Sequence, residues 1–339
     1  MSPSYILRDL CGVLAGCQVW HRSVLAVSPS GKYVAYASTL SIVVYDMGRK
    51  PPTACRVIPH DKTITCVRWS LVDDERLYTS ASGSIILWSI ARGTANRQRI
   101  VAVGSTVVDL AVDPLREGTV AVACADGVSH IWDAAGTSTR EVFGRRSRSV
   151  AAGLRWNPKQ GGMLLSGNVD GSWVVWDDDK RKLWCKPQMA SGVAQKSRVV
   201  DLAWDPLGAT CMLVAHECGV VVLWDVEALA ELSVFERQPL GVHALAWLDW
   251  APGAFVTVND TTSVAKIWNV SQKAPLEHVR LAGAGVAMSS VEAAWAGLPK
   301  TADSGRIHSI LPVSRGGAAG RGASAMFLAF LDGSIGLSL

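Results

Sequence analysis

The chain has 339 residues, of which 49% are hydrophobic and 18% charged, with a formal net charge of +4. That length is more than one simple core needs but suits a repeat architecture, and the apolar share supplies ample surface to bury. The small charge excludes a dedicated nucleic-acid protein, whose domains are far more basic, and leaves only modest steering toward anionic surfaces.

In chain order, Met1 to Leu10 has no basic segment followed by a long apolar run, so no signal peptide is predicted, and no stretch nears the 18 apolar residues of a membrane span. Tyr5 to Leu10 reads as a strand. Six units then end alike, at Val44-Tyr45-Asp46, Leu87-Trp88-Ser89, Ile131-Trp132-Asp133, Val175-Trp176-Asp177, Leu223-Trp224-Asp225 and Ile267-Trp268-Asn269, with intervals of 43, 44, 44, 48 and 44 residues. An earlier landmark keeps step with each ending: Val27-Ser28-Pro29, Arg68-Trp69-Ser70, Val112-Asp113-Pro114, Trp156-Asn157-Pro158, Trp204-Asp205-Pro206 and Ala246-Trp247-Leu248.

Between the landmarks each unit reads strand, turn, strand, turn, strand. In the fourth, Val150 to Trp156 alternates, Asn157 to Gly162 turns, Met163 to Gly167 runs as a strand, Asp170-Gly171 turns and Ser172 to Trp176 completes the set. A seventh unit is looser. Gly285 to Ser289 resembles its first strand, Ala325 to Phe330 its second and Asp332 to Leu337 its third, with a Gly- and Ala-rich stretch over 299–324 expected as a mobile insertion. The predicted unit cores are 22–46, 63–89, 106–133, 149–177, 198–225, 241–269 and 284–339.

A period near 44 with three inner strands and an edge strand after each Trp-Asp is the WD40 pattern. It predicts an all-β chain: a single seven-bladed β-propeller over residues 1–339, its last blade completed by the N-terminal strand 5–10, which removes an exposed edge. This pattern also accounts for 14 Trp against 5 Phe and 5 Tyr. Trp88, Trp132, Trp176, Trp224 and Trp268 serve as structural repeat residues packed between blades, and Trp69, Trp156, Trp204 and Trp247 end innermost strands. Trp20, Trp173, Trp184, Trp250 and Trp295 fall outside both series and are the better contact candidates.

Several segments, among them Leu14-Ala-Gly-Cys-Gln-Val-Trp20, Ala203-Trp-Asp-Pro-Leu207 and Ile267-Trp-Asn-Val-Ser271, resemble the N-terminal propeller of the WD repeat-containing protein 17 family. The resemblance implies a long scaffold with further repeats downstream, akin to transport-coat and ciliary-transport subunits, with no catalytic residues to carry over.

The chemistry-bearing residues agree with a non-catalytic reading. The 8 Cys include no C-x-x-C pair and sit mostly among alternating apolar residues, as reduced thiols of an intracellular, cytoplasmic or ciliary protein would. The 7 His show no metal-ligand spacing, and no Gly-rich stretch carries the Gly-Lys-Ser/Thr of a phosphate loop, so no metal or cofactor is expected. His60 is placed to bond a turn Asp, His216 falls at a turn, and Asp177-Asp178-Asp179 reads as a solvated turn. The sharper candidates are basic: Arg145, Arg146 and Arg148, with Lys196 and Arg198, precede innermost strands of successive blades and should share one rim. Lys180-Arg181-Lys182 lies at the opposite rim. With Trp20, Trp184 and Trp250, these residues are the candidate contacts for other proteins of a multi-subunit complex. An acidic peptide or a phosphate suits the basic group. A ubiquitin-ligase substrate receptor is the alternative, since Trp176-Asp177-Asp178-Asp179-Lys180 matches W-D-x-x-R/K once. An RNA-associated module ranks third, and a membrane span or small-molecule substrate is not expected.

Overall fold

In a computed structural model the described residues are 7–11, 21, 23–49, 53–90, 95–142, 150–191, 197–248, 250–259, 261, 264–280, 307–314, 324–330 and 335–338. Among them every regular element is a strand, and no helix is long and apolar enough to cross a membrane. The strands form four-stranded antiparallel sheets, all but one of them a run of consecutive strands. The first sheet is Leu25–Val27 (β2), Tyr33–Ala37 (β3), Ser41–Asp46 (β4) and Thr53–Pro59 (β5). The second is Ile64–Trp69 (β6), Arg76–Ala81 (β7), Ser84–Ser89 (β8) and Asn96–Ala102 (β9). The third comprises Val107–Val112 (β10), Thr119–Cys124 (β11), Ser129–Asp133 (β12) and Thr139–Glu141 (β13). Ala151–Trp156 (β14), Met163–Asn168 (β15), Trp173–Asp177 (β16) and Lys182–Leu183 (β17) make the fourth, and Val199–Trp204 (β18), Cys211–His216 (β19), Val221–Asp225 (β20) and Ala230–Val234 (β21) the fifth. Ala244–Trp247 (β22), Ala254–Val258 (β23), Val264–Asn269 (β24) and Glu277–Arg280 (β25) follow.

The remaining sheet is discontinuous in sequence. Leu7–Cys11 (β1) lies against Ile335–Ser338 (β28), which pairs with Ser324–Phe330 (β27) and then Ile307–Ser314 (β26). Leu7 stands opposite Ser338 and Asp9 opposite Gly336. This sheet corrects one expectation: the stretch 299–324 is not a loop throughout, because Ile307–Ser314 forms the first strand of this sheet. Its apolar residues, Ile307, Ile310, Leu311 and Val313, do not alternate strictly, so the strand carries no clear two-residue period. Residues 285–289, expected as that strand, lie outside the described residues.

The first strands of neighbouring sheets stand side by side, β2 by β6, β6 by β10, and so on to β22 by β26 and β26 by β2. They line a cavity of about 750 Å³. Because neighbours within a sheet are antiparallel, the loops that enter the first strands share a face with the second-to-third turns. The first-to-second and third-to-fourth turns share the opposite, exit face. Consecutive residues of the inner strands are buried, so both sheet faces are covered, and Trp132, Tyr36, Phe255 and Ile85 are fully buried. Two entry-face turns need glycine outright. At Gly171 and Gly219, with φ of +89° and +90°, a Cβ would meet the carbonyl oxygens of Ser197 and Gln238 at 2.6 and 2.0 Å.

In four of the sheets the Asp or Asn closing the third strand acts as a turn cap. The carboxylates of Asp46, Asp133 and Asp225 accept the backbone N–H two residues on, as does the side-chain oxygen of Asn269. A short side-chain acceptor at that position lets the chain reverse into the fourth strand without stranding a backbone donor.

Candidate interaction surfaces

The cavity wall is where the sequence left most unsaid. At the second-to-last position of the first strands the residues are Ala26, Arg68, Ala111, Arg155, Ala203 and Ala246. An arginine in one sheet is thus followed by an alanine in the next, which leaves it room to reach across. Arg68 donates to the Leu110 carbonyl at 2.9 Å, to Asp109 at 2.9 Å and to Ser23 Oγ at 2.6 Å. Arg155 bridges Asp109 and Asp201, 2.8 Å from each. The carboxylates in turn accept the N–H of the next sheet, Leu154 for Asp109 at 3.1 Å and Leu245 for Asp201 at 2.9 Å. Ser23, Arg68, Asp109, Arg155 and Asp201 therefore form one ladder spanning β6 to β18 and ending on β22.

Asp109 is 4% exposed. Burial works against its charge, but the guanidiniums of Arg68 and Arg155, the Ser23 hydroxyl and the Leu154 N–H together hold its carboxyl below the usual 3.8. The neighbouring Cys66 thiol is pushed up to about 12 by burial and then by that carboxylate, which makes it inert as a nucleophile. With two carboxylates and two guanidiniums satisfied by one another, the ladder ties sheets together and presents no free charge. A repeated signal existed for it: Val-Val-Asp-Leu-Ala occurs at 107–111 and at 199–203, with a charge inside an apolar strand.

The strand-ending Trp residues are fasteners as well as filler. Trp156, Trp204 and Trp247 donate their indole N–H to the carbonyls of Ala111, Arg155 and Ala203 on the preceding first strand, at 3.0 to 3.1 Å. Trp69 turns instead to Asp74 in its own sheet. In the third-strand series Trp88, Trp132, Trp224 and Trp268 are buried, whereas Trp176 is half-buried, its indole donating to Asp178.

His60 does not bond a turn Asp. Its Nε2 lies 2.9 Å from Thr79 Oγ1 and its Nδ1 3.2 Å from the Ile58 carbonyl, while Trp88 donates to the same hydroxyl at 2.9 Å. Thr79 therefore donates to Nε2 and a neutral imidazole donates from Nδ1, consistent with burial holding its pKa below 6.5. The sixth sheet repeats the device with Gln238, Thr257 and Trp268. His216 is 1% exposed with Nδ1 3.2 Å from the Ser197 carbonyl, a loop-anchoring position.

Asp177-Asp178-Asp179 is only in part a solvated turn: Asp179 is exposed, whereas Asp177 and Asp178 are buried. Asp178 is 4% exposed and ion-paired to Arg140 of the third sheet, and Arg116 adds a contact at 2.9 Å. Burial raises the Asp178 carboxyl, but the hydrogen bonds and charge of Arg140 lead the groups that bring it below 3.8. Lys180 is engaged with Asp177 at 2.8 Å.

Of the candidate contact residues, Arg145, Arg146, Arg148, Lys196, Trp20 and Trp295 lie outside the described residues. Arg198 is exposed on the entry face, its Nε 3.2 Å from Glu217. Trp184 and Trp250 are half-buried against the cores of the fourth–fifth and sixth sheets. Trp173 is a correction: it is fully buried, edge-on to Trp224 with ring centres 5.1 Å apart, because the second-to-third turn of the fourth sheet carries it between sheets.

No family model matches the chain. The transport protein SEC31 of Eremothecium gossypii is 26% identical over 202 residues, 56% of this chain and 16% of that protein. The COMPASS component SWD3 of Saccharomyces cerevisiae is 22% identical over 217 residues, covering 63% of this chain and 67% of its own length. A solved structure of the mitotic checkpoint complex contains a chain with a TM-score of 0.73 at 16% identity, covering 98% of this chain and 92% of that one. Together they indicate the WD40-repeat family. The WD40 β-propeller accounts for the side-by-side first strands, the repeated Trp fasteners and the capped Asp turns. The chain spans about a sixth of the SEC31 relative's length, so the likeness there is to one part of a longer protein.

Proposed function

We propose that this chain is a non-catalytic scaffold for protein–protein interactions, a subunit of a larger assembly of the transport or ciliary kind, working in the cytoplasm. The observation that carries this is the fold: a rigid set of WD40 sheets whose similar proteins carry the names of a transport protein, a COMPASS component and a checkpoint complex. The finer architecture is one seven-bladed ring closed by the N-terminal strand, with blade cores as read from the repeats. The β1–β28 pairing and the contact of β26 with β2 support that closure. The same reading groups the chain with the WD repeat-containing protein 17 family.

On this reading the entry face recruits partners through Arg145, Arg146, Arg148, Lys196 and Arg198, with Trp20, Trp184 and Trp250 as secondary contacts. The ligase-receptor alternative gains nothing from Lys180, which is held by Asp177. The experiment is affinity purification of the wild-type chain and of a variant with Arg145, Arg146, Arg148 and Arg198 changed to Glu. Exposed charge changes cost little stability, roughly 0.5 kcal/mol, so the variant stays folded. Partners present with the wild type and lost with the variant are the expected result. Recovery of no protein at all would sink the scaffold reading, and unchanged capture would discard this basic group as its site.

A further inference from the structure

The exit face carries a second feature, built by a turn repeated in four sheets. At the end of each first strand a short polar side chain caps the backbone just ahead of it. Ser70 Oγ accepts the N–H of Val72 and Asp73, Asp113 Oδ1 those of Leu115 and Arg116, Asn157 Oδ1 those of Lys159 and Gln160, and Asp205 Oδ1 that of Leu207. Each cap fixes the residue two positions on and points it outward. Three of those four residues are aliphatic, with Val72 60%, Leu115 51% and Leu207 57% exposed, and Leu71 beside them is 48% exposed. A turn held this firmly cannot fold its side chain back into the core, so the apolar area remains in water.

The patch is continuous with the cavity mouth, because Leu71, Pro114, Pro158 and Pro206 of the same turns line the cavity. Apolar area grouped at one end of a cavity differs from scattered surface leucines and marks a contact surface. Its charge is also lopsided. Arg76 of the second sheet lies 2.6 Å from Glu117 of the third, so the turns bearing Val72 and Leu115 touch. Around them stand four carboxylates, of Asp73, Asp74, Glu75 and Glu117, against the cations of Arg76 and Lys32, an excess of two negative charges. Arg116 does not offset them, being bound to Asp113 and Asp178.

We infer that the exit face of the second and third sheets is a docking surface for a protein segment that presents aliphatic side chains flanked by lysine or arginine. The aliphatic groups seat on Leu71, Val72 and Leu115, and the basic groups meet Glu75 and Glu117. This deepens the scaffold reading, on which it rests, by giving the face opposite the basic group a partner of contrary charge.

The test uses the full chain and three short synthetic peptides labelled for fluorescence anisotropy: an amphipathic Leu/Lys peptide, its Leu/Glu counterpart, and a Ser/Lys peptide with the same charge and no aliphatic face. The expected order is Leu/Lys bound far more tightly than either control. A Val72→Ser, Leu115→Ser variant and a Glu75→Lys, Glu117→Lys variant, both folded by thermal melt, should each weaken Leu/Lys binding by about fivefold or more. Equal binding of Leu/Glu, equal binding of Ser/Lys, or undiminished binding by either variant overturns the inference. The scaffold reading is judged separately by the proteins that co-purify with the chain. A failed peptide test with intact co-purification rejects only this surface, and empty co-purification rejects the scaffold whatever the peptides do.

Discussion

The two sides of the cavity wall solve one problem by different chemistry. From β6 to β18 the first strands are tied by a charged ladder, whereas from β22 round to β2 the wall presents Ala244, Ala246, Leu25 and Ala26. On the uncharged side the sheets meet through the burial of these small apolar residues. On the charged side each carboxylate serves two sheets at once, so the loss of one group disturbs both neighbours. Such a ladder is retained at a desolvation cost that small apolar residues avoid, which points to alignment of sheets more than to stability as its use.

The sharpest way to break this comparison is Asp109→Ala. It leaves Arg68 and Arg155 without their shared carboxylate and should cost about 3–5 kcal/mol in denaturant unfolding. A loss under about 1 kcal/mol would mean the ladder is dispensable. Where the ladder ends, between β18 and β22, Trp247→Phe keeps most of the buried area but strands the Ala203 carbonyl, and about 1–3 kcal/mol is expected by the same measurement.

Acid should act on the charged side first. Asp109 and Asp178 both titrate below 3.8 in the folded chain, so the unfolded chain binds protons before the folded one does. Their contribution is full well above pH 3.8 and is lost as pH falls through that value toward the folded pKa. The drop in denaturant midpoint between pH 6 and pH 3 should be smaller in Asp109→Asn than in the wild type, and an equal drop would remove Asp109 from the acid response.

The smallest effect compares the second and sixth sheets. Gln238 occupies in one the place that His60 occupies in the other, each linked to a Thr hydroxyl that accepts a Trp N–H. Since burial holds His60 and His216 below 6.5, the unfolded state takes up protons first as pH falls under that value, and stability declines with it. His60→Gln should cost less than about 1 kcal/mol at pH 7.5 and flatten the decline between pH 6.5 and 5, as read by thermal melts. An unchanged slope would assign the decline to His216 and the other histidines.

The sequence by itself determined the all-β class and the Asp or Asn turns after the third strands at Asp46, Asp133, Asp225 and Asn269. Those features rest on local chemistry: a two-residue alternation, Asp-Gly and Asn-Pro turns, and a carboxylate two residues from the N–H it accepts. It misread Ile307–Ser314, Trp173 and Asp178, and it passed over Asp109 and Asp201. Each of those residues owes its state to a partner about 40 or more positions away or, for Ile307–Ser314, to pairing with Ser324–Phe330. A single unit carries no record of which neighbour lies beside it. Whether a charge is solvated or locked in a ladder, and whether a Trp is a contact or a fastener, was decided only when the first strands came side by side.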